Sequence, residues 1–296
     1  MDVNLELYRV FYETAKAGSF SKAAESLFIT QPAVSHAIKQ LEEKLGGTLF
    51  FRTTRGVTLT KEGEVLLQYI GQAFNFVKMA ESKLSEMHQL ESGEIHIGAS
   101  DTLCRHVLLP HLETFHNDYP YIKLHVTNRT SPETIRLLKE GKIDFGLVNL
   151  PVGDPQVKVT EGMAVHDIFI GGPKYDSLRT QPLPFAELAR HPLILLETGS
   201  TTRRTFDRYA ESRGIRLVPE IELGSIDLLV QFAKIGLGLA CVTREFVREE
   251  LDRGDVIEIP LTEPLPERRI GIVTLKEVPL SVAAKRMMSR LGFAIT

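Results

Sequence analysis

The chain has 296 residues, and at ~100–200 residues per domain that length implies two or three domains. Apolar residues make up 43% and charged residues 25%, the balance of a globular protein, which excludes a disordered chain. The longest stretches free of Lys, Arg, Asp and Glu, residues 26–38 and 65–77, hold 13 residues each and fall short of the ~20 that a membrane-spanning helix needs.

Charged residues recur at helical intervals through the first 17 residues and leave no apolar core for an export signal, so the expected location is the cytoplasm. Two cysteines, Cys104 and Cys241, are too few for a disulfide framework or a zinc site, and no metal-binding residues are expected. A net charge of −3 argues against nucleic acid as a partner when taken whole. Its distribution argues the other way: residues 1–61 carry +2 and the remainder −5.

Leu7, Val10, Phe11, Thr14 and Ala15 mark the buried face of a first helix that Gly18 and Ser19 end. Ser21 is positioned to cap a second helix with Ala23, Ala24 and Leu27 turned inward. After a break at Phe28-Ile29-Thr30, Pro32 sits in the first turn of a third helix, where its missing N–H costs nothing. Val34, Ala37, Ile38, Leu41 and Leu45 form the stripe this helix buries, and Gly46-Gly47 stop it. Residues 49–51 and 57–59 predict two short strands, completing a winged helix-turn-helix over 1–61. The outward face of the third helix presents Gln31, Ser35, His36, Lys39 and Gln40, side chains able to reach base edges and phosphates in a major groove. Arg52 and Arg55 flank the wing tip, suited to phosphate or the minor groove. A solvated polar face on a helical bundle is the plainer account of the same residues.

Residues 62–91 predict one long helix. Leu66, Ile70, Ala73, Val77, Ala80, Leu84 and Met87 follow an alternating spacing of four and three, the seam of a two-stranded coiled coil, with Phe74 and Phe76 beside it. Packing of that stripe on its own domain is the alternative. A paired helix would set two recognition helices about a twofold axis to read an inverted repeat.

Residues 93–149 and 193–242 each alternate strand and helix, implying two parallel α/β lobes joined by extended segments near 160–170 and 260–275. Lobe I is expected to span about 93–162 and 268–296, and lobe II about 163–267. Ligands collect where strands end and helices begin. Three such junctions are rich in hydroxyls: Ser100-Asp101-Thr102, Gly199-Ser200-Thr201-Thr202 and Gly224-Ser225. Helix N-termini there suit a small anion, with Arg203 supplying a full charge and Asn128 and Asn149 lining the cleft. Each hydroxyl is also an ordinary helix cap, each Asn an ordinary turn residue, and Asp101 opposes an anion. No catalytic or metal-binding spacing emerges: His106 and His111 are five apart, and Cys104 fits a buried thiol better than a redox sensor.

The N-terminal pattern resembles the LysR-type transcriptional regulators. The residues that carry it are 20–24 (Phe-Ser-Lys-Ala-Ala), 27–35 (Leu-Phe-Ile-Thr-Gln-Pro-Ala-Val-Ser), 38–42 (Ile-Lys-Gln-Leu-Glu), Leu45-Gly46, Leu49-Phe50, Arg52, and Thr58-Leu59-Thr60 followed by Gly63. The resemblance implies a winged helix-turn-helix, a dimerising linker helix and a two-lobed effector domain like periplasmic type 2 binding proteins. It implies a non-enzyme that binds an interrupted palindrome near a promoter as a homodimer or homotetramer, meets RNA polymerase there, needs no cofactor and responds to a small metabolite in the cleft. Ser21, Thr30, Gln31, Pro32, Ser35, His36, Lys39, Arg52 and Arg55 would face DNA; Ser100, Thr102 and Thr202 match the hydroxyls that hold the effector. His36 departs from the Arg or Lys of many members, which removes a permanent charge. A solute-binding protein using the same cleft without DNA is the rival expectation, and an enzyme acting on a small acid is a more distant one.

Overall fold

The computed structural model describes residues 4–53, 56–88 and 93–293. The chain divides into two compact units, residues 1–81 and 82–296.

The first unit opens with α1 (Leu5–Ala17), α2 (Phe20–Leu27) and α3 (Gln31–Leu45). Each has a polar N-cap: Asn4 accepts from the Glu6 N–H, Ser19 from Lys22 and Thr30 from Ala33. The α2 cap is therefore Ser19, whose extended backbone lets it cap; Ser21 lies further in, exposed on the helix. Gly18 and Gly46 close α1 and α3 in the left-handed conformation. Between α2 and α3 the same conformation falls on Phe28, with φ +56° and a side chain 94% exposed. The tight turn is thus made without glycine, at a steric cost to the chain.

Leu7, Val10, Phe11, Ala23, Ala24, Val34, Ile38 and Leu41 meet in one core with Leu49, Phe50 and Val57 of the wing. Leu45 does not join them and is 45% exposed, because the stripe ends with the helix one residue before Gly46. The wing strands β1 (Phe50–Thr53) and β2 (Gly56–Leu59) pair antiparallel. Glu42 of α3 pins them: its carboxylate accepts the N–H groups of Leu49 (2.7 Å) and Phe50 (3.4 Å). Thr60 then donates to the Thr48 carbonyl and caps the next helix through the Gly63 N–H. Gly63 is required there, since a Cβ would stand 2.3 Å from the Leu49 carbonyl oxygen.

That next helix is α4 (Lys61–His88). Leu66 and Leu67 pack on the first unit's core, whereas Val77 and Leu84 of the predicted seam are 49% and 57% exposed. Phe74, beside that seam, turns back to meet Tyr12 of α1 in a tilted ring contact (centroids 5.4 Å apart).

In the second unit, lobe I holds a five-stranded sheet in the order β4-β3-β5-β12-β6. Its strands are β3 (Gly93–Ala99), β4 (Ile122–Asn128), β5 (Phe145–Asn149), β6 (Val157–Val165) and β12 (Arg268–Leu275). Lobe II holds the order β11-β7-β10-β8-β9, from β7 (Asp167–Gly171), β8 (Leu193–Leu196), β9 (Ile221–Leu223), β10 (Leu239–Thr243) and β11 (Ile257–Ile259). Neither sheet is purely parallel. β12 runs antiparallel to β5 and β6, and β7 antiparallel to β10 and β11, because these strands carry the chain from one lobe to the other. β6 stays in lobe I through Val165, beyond the expected boundary at 162. The helices that begin at the carboxyl ends of the strands are α5 (Asp101–Leu103), continued through a π-turn at Cys104–Leu108 into α6 (Leu109–Asp118), with α7 (Ser131–Lys139) in lobe I. Lobe II contributes α8 (Thr201–Ser212) and α9 (Ile226–Lys234).

Candidate nucleic-acid interface and ligand cleft

Pro32 and the Thr30 cap start α3, and the buried Val34-Ile38-Leu41 stripe fixes its rotation. The opposite face is set by the same geometry: Gln31, Pro32, His36, Lys39 and Gln40 are exposed, and Ser35 is half-buried. Thr30 spends a lone pair on the Ala33 N–H, and its hydroxyl proton stays available as a donor. Lys39 lies 3.6 Å from Glu43, a solvent-exposed pair that holds its ammonium only loosely. Arg52 of the wing packs its guanidinium over the Phe20 ring, 5.0 Å from the centroid, and donates to Ser35 Oγ at 3.4 Å. The wing arginine is thereby pre-ordered beside the exposed face of α3. Ser21 is exposed on α2; Arg55 lies outside the described residues.

A narrow cleft lies between lobes I and II, with a cavity volume of about 60 Å³. Of the expected residues, Ser100, Thr102, Asn149, Ser200, Thr201 and Thr202 line it. Ser100 caps α5 through the Leu103 N–H, and Ser200 caps α8 through the Arg203 N–H (3.0 Å). Thr130, Ser131 and Thr243 line it as well, with Glu197 at one side and Leu103, Ile226 and Phe246 as apolar wall. The Thr130–Glu133 box at the start of α7 was legible as a fourth hydroxyl-rich strand-to-helix junction: Glu133 accepts from the Thr130 N–H at 3.1 Å and its hydroxyl at 2.7 Å.

Four expected residues stand elsewhere. Arg203 is buried away from the cleft, donating to Asp207 (2.8 Å), Glu222 (2.7 Å) and the Leu196 carbonyl (2.6 Å), so its charge is spent inside lobe II. Asp101, Asn128 and Ser225 do not line the cleft but clasp the lobes beside it. The Asp101 carboxylate accepts from Asn128 of lobe I at 3.2 Å and from the Ser225 hydroxyl of lobe II at 3.4 Å. Its negative charge is therefore directed at neighbours and not at a ligand.

Two further bridges join the lobes. Arg105 meets Asp227 at 2.7 Å, and His106, half-buried and stacked on Phe246 at 4.7 Å, lies 3.6 Å from the same carboxylate. Burial holds the His106 imidazole below its ordinary pKa against the pull of Asp227. The other bridge was not foreseen. Arg268, at the start of β12, forks onto Asp167 of β7 at 2.5 and 2.6 Å and donates to Thr243 (3.2 Å) and Asn149 (2.9 Å). It is 5% exposed and Asp167 8%. Asn149 and Thr243 belong to the cleft lining, so this network forms the floor beneath it. Burial, followed by the Asp101 charge, raises the Cys104 thiol pKa, the opposite of what a reactive thiolate needs.

Comparison with known proteins bears on both regions. Residues 5–64 match the model of the bacterial regulatory helix-turn-helix protein, lysR family, and residues 88–292 match the LysR substrate binding domain. The chain is 25% identical over 288 residues, 97% of each protein, to an uncharacterized HTH-type transcriptional regulator, YeiE, of Escherichia coli K12. It is 28% identical to the RuBisCO operon transcriptional regulator of Allochromatium vinosum, over 99% of this chain and 100% of that one. Among solved structures, an H2O2-bound cysteine mutant of Corynebacterium glutamicum OxyR aligns with TM-score 0.59 and 25% identity, covering 97% of this chain and 93% of the other. Full-length CbnR complexed with its target DNA aligns with TM-score 0.68 over 98% and 99% of the two chains; at 17% identity this likeness speaks for the fold. Among the described residues, no helix is long and apolar enough to cross a membrane.

Proposed function

The chain belongs to the LysR-type transcriptional regulators, DNA-binding proteins with an effector-binding domain, and on that premise we propose which residues carry each half of the task. The helix-turn-helix match over 5–64 sets aside the reading as a solute-binding protein that ignores DNA. Gln31, Ser35 and His36 read or contact the major groove from the exposed face of α3. Thr30, Lys39, Ser21 and Arg52 position it on phosphates, and Arg55 extends the wing. One recognition helix covers few base pairs, so the functional unit is a homodimer on an interrupted palindrome near a promoter. It pairs into a tetramer and works beside RNA polymerase in the cytoplasm.

Val77 and Leu84, exposed on α4 at the heptad spacing, support that pairing as the apolar positions a second helix would cover. Val77→Asp is expected to weaken self-association at least about tenfold, since a carboxylate in the seam loses its hydration. Sedimentation equilibrium of the full chain measures this, and an unchanged dimer constant would remove α4 from the interface.

The cleft is read as a binding site, with Ser100 and Ser200 engaged as helix caps that accept backbone N–H groups. Helix N-termini and hydroxyls from both lobes converge on it, which suits the oxygens of a small carboxylate. The lining residues carry one full charge, that of Glu197, which favours a ligand that also bears a hydroxyl or ammonium donor. Such a ligand touches both lobes and so favours one lobe arrangement over another, the differential affinity that a coupling of ~1–3 kcal/mol requires. Thr202→Val keeps the shape and deletes one hydroxyl. With about 1 kcal/mol lost, the effector concentration for half-maximal response should rise roughly fivefold to tenfold while ligand-free DNA binding stays the same. Gel-shift titrations with a metabolite found by thermal-shift screening test this; an unaltered midpoint takes Thr202 out of the site.

A further inference from the structure

Roughly 13 Å down strand β3 from Ser100, at ~3.3 Å per residue, a second cluster of polar side chains lies on lobe I. The parallel register pairs Glu94 with Lys123 and His96 with His125. Residues two apart on a strand share a face, so Glu94 and His96 of β3 stand on the same side as Lys123 and His125 of β4. Ile95 and Ile97 take the other side, in the core. β4 is the edge strand of its sheet, and His125 is exposed while Glu94 and His96 are half-exposed.

We propose that Glu94, His96 and His125 bind a divalent first-row transition-metal ion of the zinc type. The Glu94 carboxylate oxygen Oε2 lies 3.5 Å from His125 Nε2 and 4.0 Å from His96 Nε2. All three side chains offer a donor atom within 4.8 Å of the others. Metal–ligand bonds of ~2.0–2.1 Å in a tetrahedron separate the donors by about 3.4 Å. Closing the gaps therefore asks for movements of tenths of an ångström up to about 1.4 Å. Exposed His125 on an edge strand is free to supply them. The two imidazoles stack at 4.5 Å with an interplanar angle of 8°, so exposed His125 must rotate out of the stack to bring its in-plane lone pair onto the ion that His96 binds.

The surroundings suit a cation. Asp144 accepts the backbone N–H of His96 at 2.8 Å and approaches its Nδ1 at 3.8 Å, the place of the carboxylate that backs a metal-bound imidazole and turns Nε2 outward. Lys123 holds Glu94 through the other oxygen, Oε1, at 3.3 Å, and leaves Oε2 to the metal. Two carboxylate side chains, Glu94 and Asp144, surround the histidines against one lysine, Lys123. The two imidazoles are borderline donors that favour zinc-type ions over calcium or magnesium, and zinc also accepts a carboxylate oxygen. Three protein ligands leave further coordination positions to water or another donor.

The test uses the untagged full chain, freed of metal by chelator and titrated with Zn2+ alone in a calorimeter, with Co2+ absorption reporting the ligand set. One Zn2+ per chain is expected, with His125→Ala and Glu94→Gln each weakening it by about tenfold or more and His111→Ala leaving it intact. Glu94→Gln preserves side-chain volume and decides the matter if His125→Ala disturbs the fold, which the melting temperature without metal reveals. Failure to bind at about 100 μM Zn2+, or binding that neither variant weakens, overturns the assignment. In the second case the ion sits on other histidines.

Discussion

Arg268→Met is expected to destabilise the two-lobed unit by about 3–5 kcal/mol, the usual consequence of leaving one partner of a buried ion pair alone. Asp167, 8% exposed, would keep a carboxylate that lost both of its guanidinium bonds at 2.5 and 2.6 Å, and only the Thr243 hydroxyl (3.0 Å) would remain to it. At ~2–4 °C per kcal/mol for a unit of this size, the melting temperature should fall by about 6–20 °C. The paired change Arg268→Met with Asp167→Leu removes both charges and should recover most of the loss, because the cost lies in the orphaned ion and not in the missing attraction. Urea unfolding of the four proteins measures the cycle; a single variant that loses under about 1 kcal/mol, or a double variant no better than either single, would show that the pair is not the hinge's fastening. The site has a functional side as well. Arg268 ties β12 of lobe I to β7 and β10 of lobe II through groups that include the cleft residues Asn149 and Thr243. A ligand that draws on those two side chains acts on the lobe-to-lobe fastening itself, and Arg268→Lys, which keeps the charge and loses the fork, should shift the effector response with a smaller loss of stability.

Why Arg203 was expected in the cleft and Arg268 was not shows what a sequence encodes locally. The first unit was legible nearly residue by residue, since caps, a glycine stop, Pro32 and a 3.6-residue stripe act over a few neighbours. Its misreadings are local too: Ser19 competes with Ser21 for one cap, and Leu45 sits on the stripe but beyond the core's end. The strand-to-helix junctions of the cleft follow the same short-range rules, and Thr130 and Ser131 could have been found by them. Arg203 stands beside Ser200 in sequence, but its position four residues before Asp207 on one helix face already offered it a nearer partner than any ligand. Arg268 finds Asp167 across 101 residues, and no periodicity reports a partner at that distance. Glu94, His96 and His125 meet through sheet register, which a sequence leaves open until the strand order is known.

Gln31→Ala is expected to weaken binding to the cognate site by about 1–3 kcal/mol, roughly 5-fold to 150-fold, and to relax discrimination at the base pair it faces. Gln31 is the first residue of α3, exposed and ahead of Pro32, where the amino end of a recognition helix enters deepest into the groove. Its amide offers a donor and an acceptor together, the pair that adenine presents. Arg52→Ala should behave differently. Its guanidinium is held over Phe20 and bonded to Ser35, yet it carries an exposed charge for phosphate. Its loss should weaken specific and non-specific duplex alike and lower the slope of log K against log salt by about one unit for each phosphate contact removed. The two variants thus separate reading from gripping. Fluorescence-anisotropy titrations at several salt concentrations, on cognate and scrambled duplexes, supply both numbers. If Gln31→Ala changes the salt slope and Arg52→Ala changes the base preference, the α3 face and the wing have been assigned the wrong way round. If neither variant changes either quantity, the exposed face of α3 is only a solvated surface, and the chain touches DNA through some other part of the first unit.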